Sequence, residues 1–594
     1  MTVRELAVIK TQRNCNDKQT VEDTYCATAT HQLSRRRFYS SHLSLLSLSS
    51  ETQPLHRKTR QKRSHFSFWI TTIFILCGTA TGAMAAQESE PELKIGIVQR
   101  FGAKPTDVLS LQATPGDRLT IQTKAGDEAA LQATNVKLET VMQPLPKVTL
   151  AERVVLSTHR SFETAENTAK QWQKIGIEVE IAQPERWQVW AKRDVYNSPL
   201  LRRLLLLSLK VKGNNDAYLD TRVLQEAPTV NLVVDGKRYS HPEIDITTNK
   251  NLIQLSEGNQ RDRRLYAGKI RLQPNAYGTY TLINEVPLET YLRGVVPHEI
   301  GANVPYSAVE AQAIIARTYA LRNLRRFAID NYELCADTQC QVYKGLSGAV
   351  PLADRAIAAT SGRVLTYNNQ LVDALYSSTT GGVTAAFSDV WQGTDRPYLQ
   401  PVVDAAGSVW NLSGQSLAEE TNFQRFISLR QGFNEVGWSM FRWRKESSLV
   451  QITEDLQRFF KANNSPWANL KQINQMQVVE RSPSGRILKL AVETDLGTVV
   501  LEKDEVRSAF SAPRSTLFYL QPLNKGANSL WGYAFVGGGF GHGVGLSQTG
   551  SQRLAKLGWS SERILNFYYP GTQIQPLSDR ITFYNEEPLA MTGK

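Results

Sequence analysis

Residues 93–145 alternate apolar and polar positions in "LKIGIVQ", "RLTIQT" and "VKLETVM", with Pro-Gly and Ala-Gly pairs between the runs. This two-residue period predicts strands with one buried face. Over 152–193 the pattern changes to strand, a helix from about Thr164 to Ile175, a stop at Gly176, then strand, turn and strand. This predicts a βαβ-type module at 151–195, beside a strand-rich segment at 91–150. After a second strand-rich stretch at 230–284 comes "VPYSAVEAQAIIARTYALRNLRR". Val309, Ala313, Ile314, Ala320, Leu321 and Leu324 recur there at helical spacing, and Ser307 with Glu310 has the form of a capping box, so a long helix is expected from Ser307. Arg322, Arg325 and Arg326 gather where the helix dipole favours cations. "SLAEETNFQRFISLR" and "LVQITEDLQRFFKA" predict a mostly helical insertion at about 405–475. The expected fold class is therefore α+β: a mixed, strand-rich unit over 228–580 with a long capped helix and a helical insertion, behind the smaller module.

Charge separates the first residues from the rest. The 594 residues carry a net charge of +12. Residues 1–64 hold twelve Lys or Arg against five acids, and 65–86 hold no Lys, Arg, Asp or Glu. Most of the basicity is thus a leader, read as disordered or as an over-extended start. "HRKTRQKRSHFSFWITTIFILCGTATGAMAAQ" passes from basic to apolar to small residues, and Ala83-Met84-Ala85 matches a signal-peptidase site. The protein is expected to be exported to the periplasm or cell envelope and to begin near residue 86, the alternative being an uncleaved anchor. Cys15, Cys26 and Cys77 belong to the leader, leaving Cys335 and Cys340. An oxidising envelope favours a disulfide between them over half a metal site.

Two stretches carry candidate chemistry. "FVGGGFGHGVG", residues 535–545, holds six glycines around His542. It lacks the spacing and the Lys-Ser or Lys-Thr pair of a phosphate loop, so what remains is backbone freedom and close approach. Glu299 follows "GVVPH" in what reads as a short connection between Pro297 and Gly301. Beside Val295 and Val296 it is placed for partial desolvation, which would keep it a proton donor near neutral pH.

The ordered set "YLRGVVPHEI…VEAQAIIARTYA", "QVYKG", "LYSSTTGGVTAAFSDVWQGTDRPYLQPVVD", "RSPSGRILKLAV" and "GGGFGHGVGLSQTGSQRLAKLGWSSERILNFYYPGTQI" closely resembles the stage II sporulation protein D family, over about residues 228–576. The resemblance implies a peptidoglycan lytic transglycosylase with Glu299 as its acid and base, acting on glycan strands without a cofactor. It also implies substrate contacts at Arg317, Tyr319, Tyr376, Ser378, Thr379, Gly381, His542, Gly543 and Gln548, with the Gly-His-Gly loop as a wall of the groove. Amidase-enhancer relatives leave a second reading, a non-catalytic wall binder that activates a cell-wall amidase. Some relatives place a metal among histidines near the "QVY" block; with only Cys335 and Cys340 there, no metal is expected. The module at 151–195 resembles the sporulation-related repeat that binds peptide-free glycan, a mere brace being the alternative. "GSQRLAKLGWSSERILNFYYPG" has a helix-turn-helix look, but export and the small charge beyond the leader argue against a nucleic-acid partner.

Overall fold

The computed structural model describes residues 90–123, 130–258, 262–463, 465–526 and 529–584. The leader, the apolar segment at 65–86 and Ala83-Met84-Ala85 lie outside the described residues. Among the described residues the chain is mixed α and β, with strand-rich sheets and ten α-helices.

The segment 91–150 is interleaved with the strands that follow 228. One sheet runs, edge to edge, Leu334–Cys335, Glu92–Phe101, Tyr280–Pro287, Lys269–Pro274, Ile244–Thr248, Leu119–Thr123 and Leu131–Ala133. Its pairs are antiparallel apart from the parallel first one, and Ile246 faces Ile121 on one side and Ile270 on the other. A second sheet joins Arg263–Ala267, Leu252–Glu257, Val108–Ala113 and Asn135–His159. Buried Ile95, Ile121, Leu272 and Leu282 share one core with Leu111, Leu138, Leu232 and Ile253. Alternation had identified the buried faces; it carries no information about which strand pairs with which.

The βαβ reading covers only the first part of a longer unit. The 25-residue strand Asn135–His159 leaves the second sheet and continues as a ribbon with Tyr218–Val234. Helix Phe162–Lys174, strands Val179–Ala182 and Trp187–Ala191, and helix Pro199–Val211 complete a βαββαβ unit. The strand order is Tyr218–Val234, Asn135–His159, Trp187–Ala191, Val179–Ala182, all neighbours antiparallel, which is a split βαβ arrangement. Its first helix starts at Phe162 because the Ser161 hydroxyl accepts from the Thr164 N–H, and the chain turns at Gly176 with φ +82°. One face of this sheet is covered by the helices through Leu156, Val189, Phe162 and Trp172. Trp190 on the other face packs against Tyr277, with ring centroids 5.8 Å apart. Arg325 and Arg326, expected only to answer a helix dipole, pair with Glu166 and Glu163 of the first helix. The unit is therefore clamped to the larger body from both sides.

The long helix spans Tyr306–Arg322, one residue earlier than expected, behind Pro305 and with no side-chain cap. Proline fixes φ at the boundary and does the work assigned to Ser307; Glu310 instead bonds to Ser561. Helices Gln548–Lys556 and Ser561–Tyr568, capped by Ser547 and Ser560, pack their buried Leu554, Ile564 and Leu565 into the core that holds the long helix. The helix-turn-helix look of that stretch is thus a packed pair. The insertion is less helical than its pattern suggested: helices Glu420–Ser428 and Leu449–Ala462 are separated by loops and the strand Trp443–Ser448. Between them, Phe433 and Phe441 pack as loop residues with Phe423 and Phe426, so burial there follows no helical period.

Candidate functional site

Glu299 sits in the last turn of the helix Leu288–Ile300, not in a loop, with Pro297 inside the helix and Gly301 ending it at φ +95°. Because Val295, Val296 and Ile300 are buried, the helix is anchored by its apolar face and the carboxyl is held at a fixed height. The side chain is partly exposed. Its Oε1 accepts the Val342 N–H at 2.8 Å, its Oε2 lies 3.4 Å from Gln548 Nε2, and the Tyr376 hydroxyl also reaches it. Burial dominates these three bonds and pushes the carboxyl up to about 7. Near neutral pH Glu299 can both give and take a proton.

Four separate segments meet at this carboxyl. Tyr376 extends a chain of hydrogen bonds: Gln341 Nε2 donates to its hydroxyl at 3.2 Å, and Tyr291 donates to Gln341 Oε1 at 3.3 Å. Tyr319 meets Tyr376 edge-on with centroids 6.4 Å apart. Gln552 Nε2 donates to the Ile300 carbonyl at 3.1 Å, which fixes the helix bearing Gln548 to the end of the helix bearing Glu299. Gln341 and Val342 were not singled out from the sequence, although the "QVY" block was; a backbone N–H has no residue signature.

Cys335 and Cys340 are joined in a disulfide, with Cα atoms 5.6 Å apart, immediately before Gln341 and Val342. Among the described residues no group of three or more His, Cys, Asp or Glu is placed to hold a metal ion. Replacing both cysteines by Ser should lower unfolding stability by about 2 kcal/mol, the chain-entropy value for so short a loop. Equilibrium denaturation with and without reductant measures it.

The glycine-rich loop serves the protein's own backbone. Gly539, Gly541, Gly543 and Gly545 have positive φ. A Cβ on Gly545 would lie 2.0 Å from the Leu375 carbonyl, and one on Gly543 would lie 2.4 Å from the Arg486 guanidinium. Phe540 and Thr379 exchange backbone hydrogen bonds, and Tyr376–Ser377 pairs with Leu546–Ser547. The glycan wall expected of these glycines is thus a seam between two loops of the chain. His542 belongs to the seam: Nδ1 accepts the Val544 N–H at 3.0 Å, the ring bonds to the Tyr376 backbone, and it packs on Trp391 at 5.1 Å. Burial lowers it to about 4, so it is neutral at physiological pH. His542→Ala should cost about 1–2 kcal/mol of stability, because it leaves the Val544 N–H without its acceptor. Thermal unfolding would show it.

The remaining expected contacts separate. Arg317 is fully buried and holds both carboxylate oxygens of Glu289, at 2.7 and 2.6 Å, with further bonds to carbonyls. That engagement corrects its assignment as a substrate contact: it pins two helices. Ser378 is half-buried and its carbonyl accepts the Thr549 N–H at 3.2 Å. Thr379 and Gly381 are buried.

Gly381 leads to a buried centre with no sequence signal. Glu435, fully buried, accepts N–H bonds from Thr380 at 2.5 Å, Gly381 at 2.8 Å and Gly382 at 3.0 Å, and hydroxyl bonds from Thr380 at 3.0 Å and Ser547 at 2.6 Å. Asp404 lies against it, raised well above the usual carboxylate range by burial and then by the charge of Glu435, and so holds a proton. Ser547 and Gln548 are neighbours in sequence: one binds Glu435 and the other Glu299. Arg486 donates to the Thr380 and Val383 carbonyls at 2.7 and 2.8 Å and completes the cradle.

Similarity to known proteins follows the same lines. Residues 385–545 match a family model described as a domain of unknown function (DUF8618). This segment holds Asp404, Glu435, Arg486 and His542. The chain is 29% identical over 305 residues to an amidase enhancer of Bacillus subtilis (strain 168), covering 48% of this chain and 40% of that protein. It therefore spans well under half the length of that relative. It is 28% identical over 328 residues to stage II sporulation protein D of the same organism, covering 52% of this chain and 81% of the relative. It is also 28% identical over 319 residues to stage II sporulation protein D of Bacillus amyloliquefaciens, covering 51% and 78%. Residues 276–367, which supply Glu299, Tyr319 and Val342, match the family model described as Stage II sporulation protein, and with these relatives they support the resemblance of the chain to the stage II sporulation protein D family.

Proposed function

We propose that the protein is a lytic transglycosylase of peptidoglycan glycan strands stripped of their peptides, with Glu299 as its acid and base. The observation that carries the reading is a single, partly exposed carboxyl held up to about 7 by burial, whose hydrogen-bond partners are Val342, Tyr376 and Gln548 and include no second carboxylate. Hydrolysis of a glycosidic bond ordinarily uses two carboxyls. One suffices where the nucleophile belongs to the substrate. Glu299 protonates the oxygen between N-acetylmuramic acid and N-acetylglucosamine, and the bond from that oxygen to the anomeric carbon breaks. The carboxylate then takes the proton of the muramic acid 6-hydroxyl as O6 bonds to the anomeric carbon. The products are a free glucosamine 4-hydroxyl and a 1,6-anhydro end, and no water is consumed.

The similarity to an amidase enhancer supports a second reading, in which the chain binds the wall and stimulates a cell-wall amidase. Digestion of denuded glycan tests the first: the protein should release anhydro-ended fragments in the absence of any amidase. If it never cuts but does stimulate an amidase, the second reading replaces the first. Export to the envelope belongs to both proposals; N-terminal sequencing of the native protein should find a start near residue 86.

The pH dependence has a definite sign. The first step needs protonated Glu299, so kcat/KM should fall about tenfold per pH unit above about 7. Stability moves with it. A carboxyl raised from about 4.5 unfolded to about 7 folded makes the folded chain bind more protons in that window, so stability falls as pH rises through it. Glu299→Gln removes the titration and should unfold at a higher temperature than the parent at pH 8, the difference vanishing near pH 4.5. Calorimetry at the two pH values checks this.

A further inference from the structure

The helix Pro199–Val211 turns apolar side chains to both sides. Leu205, Leu206 and Leu209 pack inward. Leu200, Leu204, Leu207 and Val211, at i, i+4, i+7 and i+11, form an outer stripe, 67, 52, 60 and 80% exposed. A surface helix of a globular body ordinarily carries polar residues on that face. The stripe is flanked by residues of the adjoining ribbon: Leu150 and Val223 stand opposite each other in register, 52 and 62% exposed. They lie on the strand face that also carries Glu152, which binds Arg202 and Arg203 of the helix.

The helix itself contains no acid. Arg203 and Lys210 flank the stripe on one side, Arg203 paired with Glu152 of the ribbon, and exposed Lys212 stands at its end. Thirteen residues at 1.5 Å rise give a rod of about 20 Å. Among the described residues no helix is long and apolar enough to cross a membrane, so a bilayer meets this helix only along its surface.

We propose that this helix lies in the interface of an anionic lipid bilayer, its outer leucines at the acyl boundary and Lys210 and Lys212 among the headgroups. A second copy of the chain is a poorer occupant, because pairing two such helices brings like cations together with no acid on either helix to answer them. The proposal is independent of the glycan chemistry.

The test uses the chain from residue 87 onward, which omits the apolar segment at 65–86. That part is expected to retain its fold, since residues 86–594 form one compact unit and, among the described residues, the buried core lies between Leu93 and Ile581. It should co-sediment with vesicles of phosphatidylcholine and phosphatidylglycerol, and at least about tenfold more weakly with phosphatidylcholine alone. Leu204→Ser with Leu207→Ser should lower partition onto the mixed vesicles by about tenfold or more. These side chains are exposed, so unfolding temperature and cutting of short soluble glycans should not change. Lys210→Glu with Lys212→Glu should abolish the preference for anionic vesicles. The proposal fails if the parent does not bind the mixed vesicles, or if the double serine variant binds them as well as the parent. It fails equally if sedimentation velocity shows a dimer that the serine changes convert to monomer, which would assign the stripe to a second copy.

Discussion

Replacing Glu299 by Gln is expected to lower turnover of denuded glycan by roughly 10² to 10⁴, the range usual for a general acid–base group, with fold and glycan binding retained. Gln keeps the shape of the side chain and an acceptor for the Val342 N–H, now at 2.8 Å from the carboxylate. What it lacks is a transferable proton. The same variant separates chemistry from regulation. If the protein acts only by stimulating an amidase, Glu299→Gln should stimulate as well as the parent. Product analysis by mass, with binding to sedimented glycan as the control, distinguishes the outcomes.

The second large effect is expected at Glu435. Its carboxylate is the common acceptor for three consecutive N–H groups and two hydroxyls, all buried. Glu435→Ala strands these donors at once and should cost about 3–5 kcal/mol, the scale for removing one member of a buried charged centre. Glu435→Gln should also destabilise strongly, because its amide turns a donor toward donors. Asp404→Asn is the contrasting change. Asp404 already carries a proton toward Glu435 while Oδ1 accepts from Asn434 at 2.8 Å and Tyr568 at 2.7 Å. An Asn supplies the same donor and acceptor, so its cost should be under about 1 kcal/mol. Denaturant unfolding of the three variants gives the ranking; equal losses for Asp404→Asn and Glu435→Gln would mean that the proton does not sit on Asp404.

The split between what the sequence disclosed and what it hid has physical causes. Glu299 stood out because it lies in the "GVVPHE" block that carries the family resemblance; the neighbouring valines added only that its carboxyl could be desolvated. Its setting was misread because a proline two residues before it suggested a loop, whereas the helix accommodates Pro297 and ends at Gly301. Period and the stop at Gly176 pointed to the strands and to a helix from about Thr164 to Ile175, which the structure has at Phe162–Lys174. Neither disclosed the strand partners, since the ribbon of Asn135–His159 with Tyr218–Val234 joins residues more than sixty apart. Arg317 looked like a substrate contact because it lies in a family block, but Glu289, 28 residues upstream, claims it. Glu435 gave no sign because its role depends on backbone N–H groups of another loop. The glycines around His542 pointed correctly to close backbone approach, yet the approaching chain is the protein's own loop at 375–382.

The central claim, that one carboxyl cuts the glycan without water, is tested most directly by digestion in ¹⁸O-labelled water. The account predicts that every new muramic acid end is a 1,6-anhydro sugar, lighter by one water than a hydrolysed end and free of label, and that Glu299→Gln forms almost none. Reducing ends carrying one ¹⁸O would show that water is the nucleophile and would contradict the single-carboxyl mechanism; unlabelled anhydro ends formed equally by parent and variant would take the role away from Glu299.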